Sequence, residues 1–303
     1  MFDSQTEVCT GQGWVSLSSF PVGIVPVVGL TREGGIRFLP LEVHREDPDP
    51  PLRVFRLVGQ TADLLVSTDH LLTLAGGAEG QMVTQVSEQA LTLHRGGSWQ
   101  EGSAGELDEG WSWILGWFLA RQGLLSGGMA VIHDQGREAG EVLSQRKVRF
   151  AHDFGRYRIP LEGPLHAILG RCHRYLSNTL PLDLVLSLPL SYLQQLWQGF
   201  WESARPAWKG EREVGEGLQL VGALLGQPLR LGALTTRLCE CEIQEGEEVL
   251  VGFWQEAWGP FFRTCFPGAS VLVRRGGKVS WGGLDTPRIE DGPSESALGV
   301  QSA

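Results

Sequence analysis

The sequence lacks the features of a membrane protein and of a disulfide-bonded secreted scaffold. No stretch approaches the ~18 uninterrupted apolar residues of a membrane-spanning helix, and the opening MFDSQTEV has neither the positive charge nor the apolar block of a signal peptide. The cysteines form an odd, scattered set: Cys9, Cys172, Cys239, Cys241 and Cys265. Such a set favours reduced thiols, so we expect a cytoplasmic protein that does not contact a membrane.

Motifs for the common cofactors are also missing. The sequence contains no P-loop, no dinucleotide-binding glycine fingerprint and no zinc-ligand spacing. Cys239 and Cys241 are separated by one residue, which is too close for a zinc knuckle and instead predicts a strand with both thiols on one face. We therefore predict no metal site.

The net charge of −10 argues against indiscriminate nucleic-acid binding, but the charge is uneven along the chain. Residues 131–240 hold 13 Lys+Arg against 11 Asp+Glu, so only this region has a balance that suits a DNA backbone. The segment 144–160 alternates basic and apolar residues, which predicts a hairpin with its charges on one face for the major groove. The predicted DNA-binding residues are Arg146, Lys147, Arg149, Arg156 and Arg158. A solvated sheet face is the alternative interpretation.

Two short apolar runs, 114–123 (ILGWFLARQG) and 196–205 (LWQGFWESAR), have the same pattern. Each has a glycine at the same phase among bulky residues, Gly116 in the first run and Gly199 in the second. A glycine inside a helix costs roughly 1 kcal/mol relative to alanine, so two such glycines suggest that the helices cross closely. The pattern therefore predicts a pseudo-twofold pair of helices.

These two runs resemble the motif helices of the LAGLIDADG homing endonucleases, in the form found inside inteins. The opening segment 1–23 resembles the start of an intein, or Hint, domain, and LLVSTDHLL resembles its T-x-x-H motif, with Ser67 and His70 at the motif positions. VLVRRGGKVSWGGL resembles its last strands, with Gly283 and Leu284 at the C-terminal junction. Together the matches extend over most of residues 1–284.

The resemblance implies an α+β protein in which an all-β, horseshoe-like Hint domain is interrupted by a pseudo-twofold LAGLIDADG-type domain. Short β-prone runs before residue 100 and after residue 236 agree with this order. The expected divisions are 1–100 and 236–284 for the Hint-like domain, 105–235 for the endonuclease-like domain, and 285–303 for a mobile tail.

The resemblance also locates the endonuclease acids, which in this family hold a divalent metal at the base of the two helices. The position five residues after each glycine is Arg121 in the first helix and Ala204 in the second; a shift of one residue gives Gln122 instead of Arg121. None of these side chains is an anionic ligand for Mg²⁺. We expect no cofactor, with Mg²⁺ relevant only if cleavage survives.

The splicing positions are altered in a similar way. Met1 takes the place of the nucleophilic Cys or Ser, and its thioether has no ionisable proton; nothing precedes it in the sequence. Leu284 takes the place of the terminal asparagine and has no carboxamide. If Met1 replaces a natural cysteine, only Leu284 blocks splicing. Ser67 and His70 either polarise a peptide carbonyl or have a retained scaffold role, which we favour.

These observations predict a free-standing, intein-derived protein that neither splices nor cleaves DNA and retains at most binding to double-stranded DNA. We expect this protein to be a monomer. Three alternatives stay open at this point. One is an active LAGLIDADG endonuclease with unusual metal ligands, and another is an intein blocked in splicing. The third is a module that binds a protein partner through the acidic β region, where residues outside 131–240 carry 12 Lys+Arg against 24 Asp+Glu.

Overall fold

The structure is a computed structural model of the 303-residue chain. It describes residues 1–74, 81–85, 91–93, 97–103, 109–134, 138–174, 177–204, 207–244, 250–265 and 270–285. The fold is mixed α+β with more strand than helix, which confirms the predicted α+β class. Most of the predicted tail, 285–303, lies outside the described residues.

Strands dominate the described residues before residue 100. They are β1 (Phe2–Asp3), β2 (Glu7–Thr10), β3 (Gly13–Ser16), β4 (Val25–Leu30), β5 (Gly35–Glu46), β6 (Leu52–Val58), β7 (Asp63–Ser67), β8 (His70–Leu72), β9 (Gln81–Met82) and β10 (Ser98–Trp99). Short 3₁₀ turns lie at Leu17–Ser19 and Val83–Gln85.

The middle of the chain alternates helices with short strands. Its elements are α1 (Glu109–Ala120), β11 (Leu124–Ser126), β12 (Met129–His133), α2 (Glu138–Gln145), β13 (Ala151–Asp153), β14 (Arg156–Pro160), α3 (Pro164–Cys172), β15 (His173–Arg174), β16 (Ser177–Asn178), α4 (Leu182–Ser187), α5 (Leu190–Ala204), β17 (Ala207–Glu211) and α6 (Arg212–Leu224). The chain then returns to strands: β18 (Leu229–Ala233), β19 (Leu238–Ile243), β20 (Val251–Ala257), β21 (Phe261–Cys265), β22 (Ser270–Arg275), β23 (Lys278–Trp281) and β24 (Leu284–Asp285).

Strands from both ends of the chain form the largest sheet among the described residues. Its order is β20-β6-β7-β1-β21-β5-β4-β2-β22-β23, with β10 beside β5 and β3 beside β2. Strands β1 and β21, far apart in sequence, are therefore neighbours, and Phe2 pairs with Phe262. A buried ion network also joins the two ends, because Arg275 Nη2 lies 2.9 Å from Asp3 Oδ2 and its Nη1 lies 2.9 Å from Asp63 Oδ1. The middle of the chain is thus an insertion between two parts of one sheet.

Helices α1 and α5 pack against each other through the two predicted glycines. A Cβ atom on Gly116 would lie 2.1 Å from the carbonyl oxygen of Leu196, and one on Gly199 would lie 2.1 Å from the carbonyl oxygen of Trp113. Leu196 precedes Gly199 by three residues, as Trp113 precedes Gly116, so the contact is reciprocal. This contact shows the predicted close crossing of the two helices, whereas the pseudo-twofold arrangement of the whole domain stays a prediction. We call it the glycine seam.

Each seam helix is followed by a small sheet. The sheet after α1 has the order β11-β12-β14-β13, and the sheet after α5 has the order β17-β19-β18. The β11–β12 turn contains Gly127 and Gly128, both at positive φ (58° and 74°), as a two-residue hairpin turn requires. The second small sheet extends to Ile243, so its last strand lies beyond the predicted division at residue 235.

The core is built around the seam. One buried cluster joins α1, α5 and α6 to the four-stranded sheet and to one side of the large sheet, with Trp117, Phe118, Phe200 and Trp201 almost fully buried. A separate cluster, which includes Phe2, lies within the large sheet. Among the described residues, no helix has the length and apolar character needed to cross a membrane.

The hairpin predicted over residues 144–160 is wrong in its first part. Residues 138–145 form helix α2, and Arg146 and Lys147 follow its end, so only β13 and β14 form a hairpin. Helix-forming Glu, Ala, Leu and Gln residues dominate α2, and its Leu143 is fully buried. The five predicted DNA-binding residues therefore do not lie on one ribbon.

Replacing Gly116 with Ala tests the glycine seam. The new methyl group would meet main-chain atoms of α5, which cannot move aside as a flexible side chain would. We expect the free energy of unfolding to fall by about 3 kcal/mol in urea denaturation. Gly170→Ala is the matched control, because no heavy atom lies within 4 Å of a Cβ at this position of α3; it should stabilise the protein by up to about 1 kcal/mol. An unchanged Gly116→Ala protein would contradict the seam.

Candidate functional site

Three of the residues singled out for splicing meet at one buried point. The backbone nitrogen of Met1 donates a hydrogen bond to Ser67 Oγ at 2.6 Å and lies 3.4 Å from His70 Nδ1. The exposed fractions of Met1, Ser67 and His70 are 5%, 2% and 0%. Strand β7 ends at Ser67 and strand β8 begins at His70, so one tight turn presents both side chains to the start of the chain.

The same point contacts the predicted C-terminal junction. His70 Nε2 lies 3.0 Å from the carbonyl oxygen of Gly282, and Leu284 pairs with Leu71 in the neighbouring strands β24 and β8. A neutral imidazole with its proton on Nε2 satisfies both contacts, because Nε2–H donates to Gly282 while Nδ1 accepts from Met1. The structure therefore brings together Met1, Ser67, His70 and the carbonyl oxygen of Gly282, two residues before Leu284. We call this group the Met1 site.

Ser67 also stands at the end of a network of hydrogen bonds and ion pairs that the sequence did not reveal. Its hydroxyl donates to the Asp69 carboxylate, Asp69 Oδ2 lies 3.2 Å from Arg263 Nη2, and Arg263 Nε lies 2.8 Å from Glu46 Oε1. Arg263 is 6% exposed, so burial strengthens these interactions. Because the Ser67 hydroxyl donates its proton to Asp69, the Ser67 oxygen accepts the hydrogen bond from the Met1 nitrogen. This arrangement fixes the Met1 nitrogen rather than activating a nucleophile.

Cys9, the other nucleophile near the start of the chain, is chemically inert in this fold. It lies in β2 and is fully buried. Burial raises the pKa of its thiol to about 12, partly offset by the charge of Arg274. The thiol therefore remains protonated at neutral pH and is a poor nucleophile.

The predicted endonuclease positions, Arg121 and Ala204, lie at the C-terminal ends of α1 and α5, which we call the foot of the glycine seam. The two side chains do not form a pair of metal ligands. Arg121 Nη2 lies 3.3 Å from Asp134 Oδ1, and Trp117 Nε1 donates to Asp134 Oδ2 at 2.9 Å. Ala204 is 8% exposed, and Trp208 Nε1 donates to the carbonyl oxygen of Ala120 at 3.0 Å, so aromatic packing closes this end. In the described part of the chain, no three His, Cys, Asp or Glu residues are grouped to hold a metal ion.

Asp134 is a carboxylate that the sequence analysis missed. It follows β12 directly and is 7% exposed, and its backbone nitrogen donates to the carbonyl oxygen of Gly155 at 3.0 Å. Its position beside Arg121 arises from tertiary packing and has no local signal in the sequence. Because Arg121 offsets its charge, Asp134 does not present a free anionic site to a cation.

The basic residues separate into two groups. Arg156 and Arg158 lie on the exposed side of β14, whereas Tyr157 and Ile159 face the helices, which agrees with the predicted alternation. Phe154, at the tip of the β13–β14 hairpin, is 96% exposed. Among the described residues, neither Arg156 nor Arg158 has a salt-bridge partner. We call Phe154, Arg156 and Arg158 the sheet face.

Arg146, Lys147 and Arg149 lie away from the sheet face, at the end of α2. Arg146 is half-buried: its Nη2 donates to Gln195 Oε1 at 2.7 Å, and its guanidinium lies 5.4 Å from the centre of the Trp113 ring. Packing against α1 and α5 therefore keeps Arg146 off the strand that carries Arg156 and Arg158, and its contact with DNA stays a prediction. Lys147 and Arg149 are exposed.

The second small sheet carries a different charge pattern from the first. Lys209 Nζ lies 3.1 Å from Glu240 Oε1, and Arg230 Nη1 lies 3.4 Å from Glu242 Oε2. Each cation is thus neutralised by a glutamate on the neighbouring strand. Only the first sheet presents arginines without such partners among the described residues. The two small sheets therefore differ in the charge that they present to an anion.

No protein-family model matches the chain, and no curated protein matches it.

Replacing Ser67 with Ala tests the structural role of the Met1 site. The variant removes an acceptor from the Met1 nitrogen and a donor from Asp69 in a buried setting, so the free energy of unfolding should fall by about 1–3 kcal/mol in urea denaturation. Ser177→Ala is the control, because Ser177 is exposed and donates only to the carbonyl oxygen of Arg174; its effect should stay within about 0.5 kcal/mol. Equal effects of the two substitutions would contradict the structural role.

Proposed function

We propose that this chain is an intein-derived protein in which a Hint-like β domain encloses a LAGLIDADG-like domain. The convergence of Met1, Ser67, His70 and Gly282 at one buried point supports the Hint-like part. Met1 and Gly282 are far apart in the sequence, the T-x-x-H resemblance predicts Ser67 and His70, and Gly282 directly precedes the predicted junction at Gly283 and Leu284. The reciprocal contact of Gly116 and Gly199 supports the LAGLIDADG-like part.

We further propose that the protein carries out neither peptide splicing nor DNA cleavage. Splicing lacks its first nucleophile, because Met1 has a thioether and Cys9 is a buried, protonated thiol. Cleavage lacks its metal ligands, because Arg121 and Ala204 stand at the positions of the acids, and Arg121 is paired with Asp134. The Met1 site then serves to anchor the ends of the Hint-like domain to each other.

The remaining activity that the geometry favours is binding of duplex DNA through the sheet face. Arg156 and Arg158 project from one strand on the side opposite the seam helices, so both can reach phosphates at the same time. The exposed Phe154 beside them offers an apolar contact to a groove. One observation carries this proposal: among the described residues Arg156 and Arg158 have no salt-bridge partner, whereas each cation of the second small sheet is paired with a glutamate.

Removing both arginines of the sheet face should weaken duplex binding and its salt dependence. In Arg156→Gln/Arg158→Gln, the slope of log K against log salt concentration should fall by about 2, because each lost phosphate contact contributes about 0.9. Fluorescence anisotropy with a labelled duplex measures this slope. Lys209→Gln/Arg230→Gln removes the same charge from the second sheet and should leave the slope unchanged. Equal losses in both variants would indicate a net-charge effect and contradict the proposed interface.

Restoring acids at the foot of the seam tests the loss of the metal site. Arg121→Glu/Ala204→Asp places a carboxylate at each predicted endonuclease position and removes the cation that offsets Asp134, so Mg²⁺ should bind and raise the Tm of the variant. The unaltered protein and the Arg121→Glu single variant serve as controls and should show no rise. A Mg²⁺-dependent rise in the unaltered protein, together with cleavage of plasmid DNA, would favour an active endonuclease with unusual ligands.

A further inference from the structure

A pocket of about 280 Å³ lies where the end of α2 meets the start of α1. Three of the basic residues that do not belong to the sheet face line it: Arg146, Lys147 and Arg149. The only carboxylate among its lining residues in the described part of the chain is that of Glu162. The pocket volume is close to the lower limit of small-molecule sites, ~300 Å³. The surplus of positive charge favours an anionic ligand.

The cations of this pocket differ in mobility. Arg146 is held in place by Gln195 Oε1 and by the face of the Trp113 ring, so its planar guanidinium is oriented before a ligand arrives. Lys147 and Arg149 are exposed, and among the described residues neither forms an ion pair. An oriented guanidinium with two mobile cations is well suited to the several oxygens of a phosphate group.

One wall of the pocket is aromatic. Trp111, in the first turn of α1, is half-buried and packs against the core, so its indole is a fixed surface. A flat aromatic group can stack on such a surface, with a contribution of about 1–3 kcal/mol for a nucleic-acid base. The first turn of α1 also carries the partial positive charge of a helix N-terminus, which adds to the field of the three cations.

We propose that this pocket binds the phosphate monoester of a nucleotide, with the phosphate at Lys147 and Arg149 and the base against Trp111. The proposal does not depend on duplex binding by the sheet face, because the pocket lies at the opposite end of the four-stranded sheet. Pro160, which lines the pocket, pairs with Met129 at one end of β12, whereas Arg156 pairs with His133 at the other. A free nucleotide and a 5′-phosphorylated DNA end share this chemistry.

Isothermal titration calorimetry of the full chain tests the pocket. Deoxyadenosine monophosphate should bind more tightly than inorganic phosphate, and deoxyadenosine, which has no phosphate, should not bind. Arg149→Gln should weaken nucleotide binding about tenfold, which is the effect of a single charge-assisted contact. Glu162→Gln should tighten it, because the substitution removes the opposing carboxylate. Trp111→Leu should abolish the preference for the nucleotide over inorganic phosphate.

Two variants distinguish nucleotide binding in this pocket from a change in protein stability and from binding at the sheet face. Lys147 has a φ of 57°, a conformation that glycine adopts more readily, so Lys147→Gly should weaken nucleotide binding while raising the Tm of the free protein. Arg156→Gln/Arg158→Gln should leave nucleotide binding unchanged, even where it weakens duplex binding. Loss of nucleotide binding in this second variant would place the ligand on the sheet face and overturn the proposal.

A pair of single-stranded oligonucleotides with and without a 5′-phosphate identifies the source of the ligand. A preference for the phosphorylated strand that Arg149→Gln removes would assign the pocket to DNA ends. Binding of the free nucleotide without that preference would assign it to a small molecule. Absence of binding of the mononucleotide, of inorganic phosphate and of the phosphorylated strand at millimolar concentration would overturn the proposal.

Discussion

The close contact between α1 and α5 is the constraint on which the rest of the insertion depends. Two helices meet backbone to backbone only where neither carries a side chain, and Gly116 and Gly199 meet that condition reciprocally. The glycines lower helix propensity, but the crossing allows Trp117, Phe118, Phe200 and Trp201 to be buried on either side. Each helix then delivers its following strand to a small sheet. The position of both sheets thus depends on one contact.

The same contact determines what lies at the foot of the helices. Because the two backbones are so close, only small residues and the edges of aromatic rings fit between the ends of the helices. Ala204 and the indole of Trp208, which donates a hydrogen bond to the carbonyl oxygen of Ala120, fill this space. A carboxylate nearby, Asp134, accepts a hydrogen bond from Trp117 and pairs with Arg121. Its charge is offset within the protein, which removes the electrostatic reason for a divalent cation to bind there.

The sequence predicted the features that depend on local periodicity and missed those that depend on long-range contacts. Glycine phase identified the seam helices, and strand alternation placed Arg156 and Arg158 opposite Tyr157. The predicted hairpin began at residue 144 because basic and apolar residues alternate from there on, whereas helix propensity and the burial of Leu143 extend helix α2 to Gln145. Asp69 and Arg263 acquire their roles only when distant strands pair, so no local pattern could have revealed them.

Helix α2 also explains why the basic residues of segment 144–160 lie at two separate places in the fold. A continuous hairpin would have aligned all five cations, but the helix ends at Gln145 and turns Arg146 towards α5, where Gln195 and Trp113 hold it. The strands resume only at Ala151; the β13–β14 turn brings Gly155 beside Asp134, and Arg156 and Arg158 follow on the exposed side of β14. In a chain with a net charge of −10, separated groups of cations concentrate positive potential locally. The two proposed anion sites therefore lie at opposite ends of one small sheet.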